Sequence, residues 1–336
     1  MTVLVGQTRA DPAQFAFDID PCLRPPLETY HPAKLLSLSV RLRRKIATID
    51  PDFVHSFITY PYLPAAAVAT LGQDVALSAN ALGTYAVEPF SSLKTRHLHM
   101  FGYSRADKIL SISQYTDDRI REHVSLRSST VIPLGVNIEE FGDGRTPDGN
   151  YVLCVGAVKP RKGQDLLLQA FAEIAPAFPD ISLRFAGPVH DESFKSELDE
   201  IIRDYGLEER VEFHGIVDDE RLKQLYTDSI FFSLTPRVVN DNFEGSGLVY
   251  LEAATYGKPA VGTRSGGVPT SIVHQGTGLL APEGDIEEIA GALQELLSDN
   301  DLREQYGQNA RERVESMSWD WYTREITSEF ESIVDR

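Results

Sequence analysis

The feature that most limits the fold is an alternation. Short apolar runs trade places with helical patterns along nearly the whole chain. In the first half TVLV, DFVHSFI, DVALSA, DKILSIS and STVIPLGV read as strands. Between them HPAKLLSLSVRLRRKIATID, AAAVATL and SLKTRHLHMFGYSRA read as helices, followed by TDDRIREHV with Ser113 as its cap. Leu35, Leu36, Leu38, Val40, Leu42 and Ile46 give the first of these helices its apolar positions. The second half repeats the scheme. YVLCVGAV, ISLRFAG, VEFHGIV, IFFSLTP, KPAVGTR and GLLAPEG are strand-like. GQDLLLQAFAEIAP, FKSELDEIIRDYG, DERLKQLYTDS, SGLVYLEAATYG and DIEEIAGALQELLSD are helix-like, and SWDWYTREITSEFESIVDR reads as a last helix. Strands that alternate with helices are joined by crossovers, and crossovers make parallel sheets. The segment EEFGDGRTPDGN, rich in Gly, Pro, Asp and Asn, suits a boundary. The expectation is an α/β protein of two doubly wound parallel-sheet domains, 1–145 and 146–318, facing across a cleft. Ligands are expected at the carboxyl ends of the strands.

The 336 residues suffice for two domains of ordinary size. The formal net charge of −18 is unevenly spread: residues 151–336 hold 34 Asp and Glu against 17 Lys and Arg. A nucleic-acid partner is not expected of so acidic a chain. Acid spread over a whole domain suits a salt-rich cytoplasm, so a halophilic protein is expected. The two cysteines, Cys22 and Cys154, make no disulfide framework and read as buried thiols. No apolar stretch approaches the roughly 20 residues of a membrane span. Strand-like TVLV follows Met1 where a signal peptide would carry a basic segment, so a cytoplasmic protein is expected. The run Arg41, Arg43, Arg44, Lys45 reads chiefly as a solvated helix face, with weak peripheral contact to anionic lipid as the other reading. His55 reads as strand packing rather than as a general base.

Two constellations carry chemistry. In NFEGSGLVYLEAATYGKP, Glu244 ends a loop, Gly245 and Gly247 permit close backbone approach, and a helix follows with Glu252 on it. Unpaired N–H groups at such a helix start attract an anion, a phosphate for example. A carboxylate beside that phosphate would instead accept hydrogen bonds from sugar hydroxyls, and Glu252 would do so for a ribose. The competing reading is a pair of surface acids. In GAVKPRKGQDLLLQAF a strand ends at Gly156, and a turn carries Lys159, Arg161 and Lys162. Cations there would neutralise a diphosphate. A solvated basic turn is the plainer alternative.

Taken in order, these two segments resemble the retaining glycosyltransferases with a Glu-x7-Glu motif, family 4 or group 1, of the GT-B fold. IPLGVN, VEFHGIVDDERLKQLY, RSGGVPTSI and GTGLLAPEGD fit the same family pattern, and the resemblance spans nearly all of residues 75–336. It implies two Rossmann-like domains, with the helix 319–336 crossing back to the first domain, anchored by Trp319 and Trp321. It implies catalytic roles for Glu244, Arg161 and Lys162. Gly156, Gly245, Gly247, Leu248 and Glu252 would hold the nucleotide sugar, with Gly83 and Thr84 on the acceptor side. The donor would be a UDP-, GDP- or ADP-sugar and the acceptor lipid-linked, a glycan or a polysaccharide. No metal and no cofactor are implied.

Four departures from the family pattern stand out. MTVLV matches the family's second strand, so a leading strand, Gly-rich loop and helix are expected to be missing. Leu82 stands where the family has His, Ala157 where it has the first Arg, and Thr270 where Glu is usual. They motivate a rival expectation: a catalytically defective nucleotide-sugar-binding relative, or a partner subunit of another transferase.

Overall fold

The computed structural model describes residues 2–4, 18–20, 32–138 and 149–334. The chain falls into two compact units. The first draws on residues 1–112, 116–132 and 326–336, the second on 113–115 and 133–325. Cys22 and most of the segment read as a boundary, 139–148, lie outside the described residues.

In the first unit the strands are β1 (Thr2–Leu4), β2 (Asp18–Asp20), β3 (Phe53–Ser56), β4 (Ala76–Ala81), β5 (Lys108–Ser111) and β6 (Ser129–Val131). β3, β4, β5 and β6 form a parallel sheet in that order, and β1 pairs in parallel with β2. The helices are α1 (Pro32–Ile49), α2 (Tyr62–Ala69), α3 (Thr84–Val87), α4 (Leu93–Arg105) and α5 (Gln114–Arg121). α1 packs Leu35, Leu38, Leu42 and Ile46 against Ala65 and Ala69 of α2. Small alanines at that seam let the two helices approach closely. Leu36 and Val40, counted in the sequence among the apolar face of α1, are instead solvent-exposed. Four core positions at i, i+3, i+7 and i+11 already fill one stripe, and these two fall on the opposite side. His55 on β3 is a packing residue: Nδ1 lies 2.8 Å from Ser78 Oγ, and its ring lies against Phe57 and Phe330. Burial lowers its pKa to about 4, so the imidazole is neutral at physiological pH.

The second unit holds β7 (Tyr151–Val155), β8 (Ser182–Ala186), β9 (Val211–Phe213), β10 (Phe231–Ser233), β11 (Ala260–Thr263) and β12 (Gly278–Ala281). All are parallel, in the spatial order β12-β11-β10-β7-β8-β9. Its helices are α6 (Gln164–Ile174), α7 (Glu192–Asp204), α8 (Asp219–Asp228), α9 (Leu248–Thr255), α10 (Val268–Ser271), α11 (Ile286–Ser298), α12 (Asn300–Glu315) and α13 (Trp319–Val334), the last running on into the first unit. Phe231, Phe232, Val261, Leu279 and Leu280 are buried because helices cover both sheet faces. Cys154 is buried on β7, and burial pushes its thiol up to about 12. Strand order reverses between β7 and β10. The loops leaving those two strands therefore flank the position where doubly wound sheets bind ligands.

α12 is absent from the sequence reading. Its Asn300–Glu315 stretch is dominated by charged and amide side chains, so its apolar period is faint. The final helix forms as expected, but the tryptophans are not what ties it to the first unit. Trp321 packs in the second unit with the cluster of Val136, Leu251, Ala254 and Val314, while Trp319 is 46% exposed. In the first unit the work falls to Phe330, whose ring lies 4.7 Å from Phe53, to buried Ile333, and to a 2.6 Å ion pair between Glu329 and Lys108.

Candidate active site

The loop after β7 is shaped by glycine and proline. Gly156 takes φ +153°, where a side chain is disfavoured, and a Cβ there would touch the Lys162 side chain. Pro160–Lys162 then makes one 3-10 turn, and Gly163 at φ +67° opens α6. A Cβ on Gly163 would run into the carbonyl oxygen of Thr235 in the loop after β10. The Thr235 hydroxyl donates to the Gly163 carbonyl at 2.7 Å. The Arg237 amide donates to the Arg161 carbonyl at 3.0 Å, and its guanidinium pairs with Asp165 at 2.8 Å. These bonds lash the two loops together across the point of reversal.

They bring together the three residues singled out for chemistry. Lys162 Nζ lies 2.6 Å from Glu244 Oε2, and Arg161 Nη1 lies 3.0 Å from the same oxygen. Arg161 also donates to the Phe243 carbonyl at 3.2 Å. Neither cation bonds Oε1. Side-chain exposure is 11% for Lys162, 12% for Glu244 and 23% for Arg161, so water screens the group only weakly. Burial alone would raise the Glu244 pKa, but Lys162 and Arg161 overcome it and hold the carboxyl below its ordinary value. Glu244 is thus ionised, as a hydroxyl acceptor must be. Lys159 is pushed the other way, first by burial and then by Arg161 and Lys162, so its pKa falls.

Glu244 is braced from behind by a segment the sequence marked only as a family pattern. The Gly267 amide donates to the Glu244 carbonyl at 2.7 Å, and a Cβ on Gly266 would lie 2.5 Å from that oxygen. Only paired glycines let the two backbones meet so closely. Gly245 then leads to Gly247, the left-handed residue at φ +70° before α9. A Cβ on Gly247 would lie 2.5 Å from the Tyr250 ring, whose hydroxyl is fixed to the Leu234 carbonyl at 2.6 Å. Leu248 is the first residue of α9, and its N–H is among those a helix leaves unpaired.

Glu252 is half-buried on α9. It accepts a 3.0 Å hydrogen bond from Tyr226 of α8, which stacks on Tyr256. Burial raises its pKa, and the Tyr226 bond and Lys162 offset only part of that. Thr235, Arg237, Asp165, Tyr226 and the Gly266–Gly267 pair were not identified as site residues from the sequence. Only the paired glycines leave a local signal. Gly83 and Thr84 belong to the first unit, at the carboxyl end of β4, where Gly83 takes φ +56° ahead of α3.

Two family models match the chain. The one described as glycosyl transferases group 1 covers residues 137–313, and that of glycosyltransferase family 4 covers 2–140. An uncharacterized glycosyltransferase of Methanocaldococcus jannaschii is 25% identical over 285 residues, 84% of this chain and 76% of that protein. A GDP-mannose-dependent alpha-(1-6)-phosphatidylinositol monomannoside mannosyltransferase of Mycobacterium tuberculosis is 27% identical over 311 residues, 87% of this chain and 80% of that one. Among solved structures, HepE of Anabaena in complex with UDP and glucose has a TM-score of 0.73 at 21% identity, covering 89% of this chain and 83% of its own. A glycosyltransferase of Rickettsia africae reaches a TM-score of 0.79 at 16% identity, covering 99% and 90%. The structural likeness is one of fold, the GT-B arrangement of two parallel α/β sheets.

Proposed function

We propose that this chain, which belongs to the group 1 glycosyl transferases, moves a sugar from a nucleotide diphosphate sugar to a lipid-linked, glycan or polysaccharide acceptor with retention of anomeric configuration. One observation carries the reading: two cations and an ionised carboxylate are locked together at the β7/β10 reversal, beside the start of α9. The same place on such sheets binds nucleotides. HepE was solved with UDP, and the mycobacterial relative uses GDP-mannose, so UDP- and GDP-sugars are the first donors to test and ADP-sugars the next.

In this reading Arg161 and Lys162 take the diphosphate, Arg as a fork and Lys as a point charge. The N–H groups at Gly247 and Leu248 add the positive end of α9. As the sugar–phosphate bond breaks, charge grows on the departing diphosphate, and fixed donors in a half-dry site stabilise it more than they stabilise the bound donor. These cations supply what a divalent metal supplies elsewhere, which is the basis for proposing metal-independent transfer. Glu244 receives hydroxyls of the transferred sugar on Oε1, the oxygen its cations leave aside. Glu252 receives the ribose, positioned by Tyr226. Gly156 keeps the floor under Lys162 low. Gly83 and Thr84 serve the acceptor side.

The experiment is a panel of UDP-, GDP- and ADP-sugars, read first as thermal stabilisation and then as transfer to glycan and lipid-linked acceptors. One donor should stabilise the protein and turn over, and Glu244→Gln should cut turnover by about 10²-fold. Turnover at the wild-type rate in Glu244→Gln would end the site assignment. Stabilisation by a donor that is never turned over would move the reading to a non-catalytic nucleotide-sugar-binding relative.

A further inference from the structure

In the second unit, α9, α10, α12 and the start of β11 surround a small cavity. Its polar side chains are those of Tyr250, Lys258, Ser271, Thr277 and Arg313, and the rest of the wall is aliphatic. No carboxylate or amide side chain lines it among the described residues. Two of its hydroxyls are already committed. Tyr250 donates to the Leu234 carbonyl at 2.6 Å, and Ser271 donates to the Ser246 carbonyl. Thr277 Oγ1 accepts from the Val273 amide at 2.9 Å, which leaves its own hydrogen to give. Arg313 Nη2 donates to the Thr270 carbonyl at 2.9 Å, but Arg313 Nε is buried with no hydrogen-bond partner among the described residues. Burial lowers the Arg313 pKa, and among the described residues no carboxylate pulls it back. Lys258, only 4% exposed, brings a second cation to the same wall. The free space is about that of one water.

We propose that this cavity is a halide site that takes chloride, held by Arg313 Nε–H and the Thr277 hydroxyl in the field of Lys258. A buried guanidinium nitrogen without an acceptor is a costly defect. A water in the cavity would accept that hydrogen and leave the positive charge uncompensated, whereas an anion does both. The space admits a monatomic anion and excludes phosphate, sulfate and carboxylates. The bound ion would also reach the loop that carries Glu244. Arg313 holds the Thr270 carbonyl on α10, and the neighbouring Ser271 holds the Ser246 carbonyl, between Gly245 and Gly247. Chloride would thus fasten α12 to that loop through α10. The inference is independent of the transferase reading, because its assays contain no sugar donor.

The test separates a site from general screening. Screening of a net charge of −18 acts alike for potassium salts at one ionic strength, but a site tells anions apart. Thermal melts of the full chain are run in potassium chloride, bromide and acetate at matched ionic strength, acetate being too large for the cavity. The wild type should melt higher in either halide than in acetate. Above half-saturation, each tenfold rise in halide should raise the folding constant about tenfold beyond acetate, about 3–6 °C for a unit of this size. Arg313→Gln keeps an amide donor for the Thr270 carbonyl and removes the charge, so it should melt alike in all three salts. Wild-type crystals in bromide should show an anomalous peak within bonding reach of Arg313 Nε and Thr277 Oγ1, and if Arg313→Gln does not fold, that map decides alone. Equal wild-type melts in halide and acetate, a halide excess that survives in Arg313→Gln, or a cavity that holds only an ordered water in bromide would each overturn the proposal.

Discussion

Replacing Glu244 by Gln keeps the shape of the side chain and removes its charge. In the folded protein that charge is paired with Lys162 at 2.6 Å and Arg161 at 3.0 Å, with only 12% of the carboxylate side chain exposed. Removing one partner of a buried ion pair costs about 3–5 kcal/mol when the other charge is left bare. Gln still offers an amide oxygen to both cations, so the expected loss at neutral pH is smaller, about 2 kcal/mol. For a unit of this size that is about 4–8 °C in the melting of the second unit. The loss should depend on pH with a definite sign. The folded pKa of Glu244 lies below the ordinary 4.5, so its stabilisation is complete above that value and drains away as pH falls through the lowered one. Thermal melts of wild type and Glu244→Gln from neutral to strongly acid pH should show a gap that closes on the acid side. A variant as stable as wild type at neutral pH would refute the reasoning, as would a gap that persists undiminished in acid.

Three further outcomes follow from the same cluster and its surroundings. Glu252 behaves oppositely to Glu244: its folded pKa is raised, so its contribution is present below 4.5 and is lost as pH rises through the raised value. Glu252→Gln should therefore raise the denaturant midpoint at neutral pH and match wild type in acid, while weakening nucleotide binding; a destabilised variant at neutral pH would contradict this. Gly163→Ala meets both a left-handed backbone and the Thr235 carbonyl, so it should cost about 2 kcal/mol or more and loosen the Arg161–Lys162 turn, read as a fall in melting temperature together with transfer rate. The formal charge of −18 should make stability climb between dilute and molar KCl, measured by melts across a salt series, and a flat series would remove the expectation of a halophilic protein.

The fold was readable because parallel strands buried on both faces spell themselves out as apolar runs. YVLCVG, ISLRFAG and IFFSLTP each became a strand at about the expected place. The pairing of Glu244 with Arg161 and Lys162 was only half readable. The residue types pointed to an anion site, but the 83 positions separating Arg161 from Glu244 close only through the strand order β10-β7. Strand order is a tertiary fact, so the carboxylate's two cations were unpredictable from the segments taken singly. The same limit hid Tyr226 behind Glu252, since α8 and α9 meet only in three dimensions. Leu36 and Val40 show the reverse failure. They carry the residue type of a core position, and only packing of α1 on α2 reveals that the core has no room for them. The family resemblance assigns the anchoring of the last helix to Trp319 and Trp321, yet Phe330 does that work further along it.

In the proposed function the two loops at the β7/β10 reversal hold a nucleotide diphosphate through Arg161 and Lys162. Calorimetric titration of UDP and GDP into wild type and Lys162→Met at matched ionic strength tests it most directly. Wild type should bind one of the two, and Lys162→Met should bind it about 10- to 100-fold more weakly, the worth of one charged hydrogen bond of roughly 1.5–3 kcal/mol. Equal affinity in the two proteins would place the diphosphate elsewhere and contradict the account.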